Sequence, residues 1–181
     1  MPVLYSFLFM FIIVGGLGIL YVYNYNKLQH SKTKIEHAEC LIDESLRSKY
    51  DLITQYEKII KDEVDIEKNF LKDFIKLKDG NISNFELDRK LIDYINIINK
   101  VKADNNSLRD NKELKKLSAE EKKIDEKLQA AKSYYNKYTS EMNDLIRTFP
   151  SNIVSRMHGF EIKTFFDGKN MQDDVVNDFK L

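Results

Sequence analysis

The sequence predicts an all-α protein: an N-terminal transmembrane helix followed by an antiparallel four-helix bundle, with three long helices as the runner-up arrangement. Three observations carry this. Residues Met1 to Asn26 contain no charged side chain, and Val3 to Val22 is apolar almost throughout. Beyond them the chain is densely charged, and its apolar residues recur in steps of three and four, the spacing of a helix with one buried face. Six Gly and two Pro in 181 residues are too few for the many turns of a sandwich or barrel.

The anchor comes first. At about 1.5 Å per residue, roughly 20 apolar residues span the ~30 Å hydrocarbon core of a bilayer, so Val3 and Val22 are taken as the ends of the span. A cleaved secretory signal would carry a basic N-terminal region and a small-x-small cleavage site; only Met1-Pro2 precedes the run, and Tyr21-Val22-Tyr23-Asn24-Tyr25-Asn26 offers no such site. A soluble core helix would keep a polar stripe. Lys27, Lys32 and Lys34 follow the span, and the positive-inside bias then places the C-terminal domain in the cytoplasm with the N-terminus outside. Tyr21, Tyr23 and Tyr25 suit an interfacial aromatic belt. Gly15-Gly16-x-Gly18 would let two anchors approach closely, which keeps a homo-oligomer in view, although the spacing is not G-x-x-x-G. The expected division is 1–26 anchor and interfacial segment, 27–166 helical body, and 167–181 loose acidic tail.

In the body, Lys27 to Lys78 holds no Pro or Gly, and Ile35, Ala38, Ile42, Leu46, Leu52, Ile53, Tyr56, Ile59 and Ile60 mark one face. Ile66, Phe70, Phe74 and Leu77 continue it. The pattern loosens at Arg47 to Asp51, where Asp51 is positioned to cap a new helix, so a break is expected there. Asp79-Gly80-Asn81 is a turn signal, and Ser83-Asn84-Phe85-Glu86 reads as a capping box. A further helix carries Leu87, Leu91, Tyr94, Ile98 and Val101 to about Lys102, and Asp104-Asn105-Asn106-Ser107 turns the chain. The last long helix has a heptad seam from Leu114 to Phe149 interrupted at Glu121. Pro150 ends it.

Composition excludes several functions. Lys+Arg and Asp+Glu balance at 29 each, without the basic excess of a nucleic-acid binder. Cys40 is the only cysteine, so no internal disulfide forms; it is expected as a small core residue. There is no phosphate loop, no H-E-x-x-H, no G-x-S-x-G and no Cys/His ligand cluster. His30 and His37 are about 10 Å apart along a helix, and His158 is expected in a surface or capping role. No catalytic residue, cofactor or metal site is therefore assigned.

The C-terminal part carries a more specific pattern: Tyr134-Tyr135-Asn136-Lys137, then Phe149-Pro150-Ser151-Asn152-Ile153-Val154, His158-Gly159-Phe160 and Phe165-Phe166. Upstream stand Tyr25-Asn26-Lys27-Leu28, Ile42-Asp43, Arg47-Ser48-Lys49-Tyr50-Asp51-Leu52-Ile53 and Leu108-Arg109-Asp110-Asn111. In this order, across residues 23 to 166, the chain resembles the LemA family of bacterial membrane-anchored helical proteins. It departs in having Thr54 where the family usually has Pro, and in lacking a Trp near Cys40 and a later H-E pair. The resemblance implies a helical bundle at the bacterial cytoplasmic (inner) membrane, and no particular chemistry. In physical terms Pro150 stops a helix, Ser151 or Asn152 caps the next, and Gly159 ends it in the left-handed region. Tyr135, Asn136, Phe149, Pro150, Ser151, Asn152, Gly159 and Phe160 form the candidate site, either an end-cap of the bundle or a partner-binding surface.

The functional expectation is a single-pass, non-enzymatic interaction or scaffold protein. Its partners would be the bilayer, through residues 3–22, and a membrane or envelope protein not identifiable from sequence. The alternatives are an enzyme or regulatory subunit using a bundle carboxylate such as Glu121 or Glu63, and a self-associating structural membrane protein.

Overall fold

The computed structural model describes residues 2–63, 74 and 82–166. Among them all regular structure is helical: α1 (Pro2–Glu63), α2 (Asn84–Asp104), the single turn α3 (Asn106–Arg109), α4 (Lys112–Arg147) and α5 (Ser151–Met157). The long helices are three, α1, α2 and α4; the four-helix arrangement is not seen among the described residues. The predicted turn at Asp79–Asn81, the stripe through Ile66, Phe70 and Leu77, and the tail 167–181 lie outside them.

The break expected near Asp51 is absent, because α1 runs through it unbroken. Three features explain this. Thr54 bonds back to the Tyr50 carbonyl at 3.1 Å and, unlike a Pro, keeps its own N–H in the helix. Asp51 is exposed and caps nothing. The stripe also does not lapse: Lys49 is 4% exposed and fills the position between Leu46 and Leu52, its ammonium 2.7 Å from the Asp125 carboxylate. A lysine stem thus continues an apolar face that looks interrupted in sequence.

Other boundaries follow from side-chain caps. Ser83 accepts from the Glu86 N–H at 3.2 Å and starts α2. Asn111 accepts from the N–H groups of Glu113 and Leu114 at 2.8 and 3.1 Å and starts α4, filling two of the donors a helix start leaves open.

The chain divides into two compact units. Ala38–Ser133 packs Ile42, Leu46, Ile53, Tyr56 and Ile60 of α1 with Leu91 and Ile98 of α2 and Leu114 and Leu128 of α4, all buried. Phe74 stacks on Tyr50 at 4.4 Å and meets Tyr94 edge-on at 5.0 Å. Cys40 is exposed, against expectation, because the buried positions here are Ala38 and Ile42 and Cys40 lies two residues, about 200° of helix turn, from either.

The other unit is Met1–His37 with Tyr134–Leu181. Its described interior mixes Leu28, Ile35, Met142 and Val154 with Asn24, Ser31, Thr139, Asn143, Ser151 and Ser155. Several of these polar groups bond within their own helix or turn: Asn24 to the Leu20 carbonyl, Ser151 to Thr148 and Ser155 to Asn152. Every described side chain from Val3 to Tyr23 is exposed. At Asn24 the pattern changes, and Asn24, Leu28, Ser31 and Ile35 form a buried stripe.

Candidate functional site

The C-terminal residues singled out from the sequence come together in the unit of Met1–His37 with Tyr134–Leu181. Tyr135, on the inner face of α4, donates to the Thr164 carbonyl at 3.1 Å and meets Phe166 edge-on at 6.3 Å. Asn136 accepts from the Phe166 N–H at 2.8 Å. Asn143, which the sequence reading passed over, is fully buried; its amide donates to the Lys163 carbonyl at 2.8 Å and accepts from the Lys163 N–H at 3.0 Å. These three side chains, at spacings of one and seven residues along α4, bond four backbone groups of residues 163–166. The Tyr-Asn pair is therefore a clasp for the segment after α5.

Between α4 and α5 the Phe149–Pro150 peptide is cis. Asn152 donates its N–H to the Thr148 carbonyl at 2.8 Å, while its side-chain oxygen is buried with no partner among the described residues. Pro150 and Phe149 are exposed. The helix closes as a Schellman motif: Phe160 N–H bonds to Ser155 O at 3.0 Å and Gly159 N–H to Arg156 O at 3.4 Å, with Gly159 at φ 66°. Only a residue tolerant of the left-handed region fits there.

His158 is not isolated. Its Nε2 lies 2.5 Å from the Tyr21 hydroxyl, and its ring sits 4.6 Å from that of Tyr25, which also approaches Phe160 at 6.5 Å. The tyrosines at the end of the apolar run and just past it thus hold the turn after α5. No local sequence signal links positions 137 residues apart.

In the Ala38–Ser133 unit, the seam-breaking Glu121 ends a directed chain of hydrogen bonds. Lys102 Nζ donates to Ser118 Oγ at 2.9 Å, Ser118 lies 3.1 Å from the Tyr56 hydroxyl, and Tyr56 donates to Glu121 Oε2 at 2.8 Å. Because Tyr56 gives its proton to Glu121, Ser118 is left to donate to Tyr56. The ammonium also lies over the Tyr56 ring, 4.9 Å from its centroid. Burial, with the Glu121 carboxylate adding to it, raises the Tyr56 phenol well above the ordinary tyrosine range; the Ser118 bond works against this. Burial lowers the Lys102 ammonium, against the attraction of Glu121. Glu121 and Ser118 reach one edge of an open groove of about 690 Å³, also lined by Asn99, Asp125, Gln129 and Ser133.

Glu63, the other carboxylate considered, is exposed and accepts from Asn111 at 3.0 Å. Within the Ala38–Ser133 unit, Lys132 reaches the buried Asp88 at 2.5 Å. Among the described residues no group of His, Cys, Asp and Glu is arranged to hold a metal ion. His30 and His37 instead face Tyr138 and Tyr134 edge-on at 6.1 and 6.5 Å.

α1 is the one helix among the described residues long and apolar enough to cross a membrane, and its most apolar window is wholly uncovered by protein. No curated protein and no solved structure matches the chain. A family model does, over residues 38–179, which takes in the clasp, the Phe-Pro-Ser-Asn turn and the Glu121 seam; the chain therefore belongs to the LemA family.

Proposed function

We propose that the protein is a membrane-tethered helical scaffold of the LemA type, with Val3–Val22 crossing the bilayer and the charged helices presenting a docking surface to another membrane or envelope protein. The observation that carries this is the switch in exposure at Tyr23/Asn24. On the N-terminal side every described apolar side chain is bare, far more contiguous apolar surface than a soluble monomer presents to water. On the C-terminal side the helix at once acquires a buried stripe within a folded unit. Lys27, Lys32 and Lys34 favour a cytoplasmic body on the inner membrane. The groove beside Glu121 is the surface on offer to the partner.

The test is proximity labelling in intact cells, with the labelling enzyme fused to the C-terminus. A defined set of membrane neighbours with labelled cytoplasmic segments is expected. Their label should fall when Gln129→Trp fills the groove. Labelling confined to the opposite side of the membrane, or unchanged in the groove variant, would overturn the orientation or the docking surface respectively.

A second reading, an enzyme or regulatory subunit acting through Glu121, has in its favour the Lys102–Ser118–Tyr56–Glu121 relay at the groove edge. Glu121→Gln separates the two: its carboxamide keeps the shape of the carboxylate and removes the charge, so a scaffold keeps its neighbours and an enzyme of this kind stops.

A further inference from the structure

α5 carries an apolar stripe that no described residue covers. Ile153 is 52% and Met157 67% exposed, four residues apart and hence on one face of the helix, and Phe149, just ahead of it, is 75% exposed. The opposite face, Ser151, Val154 and Ser155, is buried at 5% exposure or less. An exposed stripe on so short a helix needs an occupant, and its position within the unit identifies one.

The edge-on pairs His37–Tyr134 and His30–Tyr138 show α1 and α4 running antiparallel side by side. The rest of α4 past Tyr138, about 13 Å at about 1.5 Å per residue, brings Arg147 level with Tyr21, since the same length of α1 separates His30 from Tyr21. α5 therefore starts near the level of Tyr21. It also ends there, because His158 is held by Tyr21 and Tyr25. A helix with both ends at one level lies across the α1 axis. Its stripe, opposite the buried face, is bare at the level where the uncovered apolar length of α1 ends.

We propose that α5 is a membrane-seated foot: Phe149, Ile153 and Met157 enter the headgroup boundary of the same bilayer that α1 crosses. His158 ties the end of α5 to Tyr21, at the end of the uncovered apolar run, which is why lipid and not a second protein is the occupant of the stripe. Interfacial helices bury such a face about 5–10 Å into the headgroup and acyl boundary. Arg156, exposed beside the stripe, has a stem long enough to hold its guanidinium among the phosphates. The tyrosine–histidine contact then fixes the depth of the foot relative to the span. This rests on the tethering reading above.

The test uses the full chain in vesicles of phosphatidylcholine and phosphatidylglycerol, with Cys40→Ser removing the exposed native thiol. An environment-sensitive fluorophore is attached through Ile153→Cys, Met157→Cys, Val14→Cys or Lys137→Cys, and spin-labelled lipids quench it at shallow or deep positions. Labels at 153 and 157 should lose intensity most with the shallow quencher, the label at 14 with the deep one, and the label at 137 with neither. Quenching at 14 without quenching at 153 and 157 would overturn the foot and leave the anchor standing. No quenching at 14 would overturn the anchor, and the foot with it.

Discussion

Asn143 both donates to the Lys163 carbonyl and accepts from its N–H, so a single amide does for this residue what a strand partner would. Removing it strands two backbone groups at a buried position. Asn143→Ala is expected to cost about 2 kcal/mol, from two hydrogen bonds at roughly 1 kcal/mol each, and to speed hydrogen exchange at Lys163 ahead of the α4 core. Urea melts with amide exchange measure both. Tyr56 gives a pH signature. Its phenol holds its proton more tightly folded than its ordinary value of 10.0, so the stability tied to that proton is complete below pH 10 and declines as pH rises from 10 toward the folded value. Lys102 runs the other way: its folded value is lowered from 10.5, the unfolded chain binds more protons, and stability rises as pH approaches 10.5. Denaturant midpoints between pH 9 and 12 should show an alkaline fall in the native chain that Tyr56→Phe flattens while the Lys102 rise persists. An equally steep fall in the variant would remove Tyr56 as its source.

At the level of helices, α1 shows where reading from sequence succeeds and where it stops. Ile35, Ala38, Ile42, Leu46, Ile53, Tyr56 and Ile60 are all buried, as their spacing requires, because periodicity is local and needs only the pitch of the helix. The caps at Ser83 and Gly159 were legible for the same reason. Asp51 was misleading because a capping residue type is only an opportunity. Whether it is taken depends on Lys49 reaching Asp125, 76 residues away. The contact of Tyr21 and Tyr25 with His158 and the role of Asn143 were hidden likewise, since both join residues distant in sequence. The unbroken helix makes a paired prediction. Asp51→Ala should change stability by less than about 0.5 kcal/mol, where loss of a true N-cap costs about 1. Leu52→Ala, one residue on and 1% exposed, should cost about 2–5 kcal/mol. Thermal melts of the two variants compare them directly, and a costly Asp51→Ala would restore the helix boundary.

For the whole molecule, each of the two units has its own consequence. The Ala38–Ser133 unit carries the relay and the groove, so under the proposed function changes there should alter partners without altering membrane attachment. The unit that contains the apolar run carries the clasp and α5, so its stability and its attachment should respond together to the lipid. The central claim is that the bare stretch from Val3 to Val22 lies in a bilayer. Alkaline extraction of native membranes, followed by intact-mass measurement of the pelleted protein, tests it most directly. The account predicts the chain in the membrane pellet with Val3–Val22 included in its mass; release into the supernatant, or a mass that starts downstream of Val22, would contradict it.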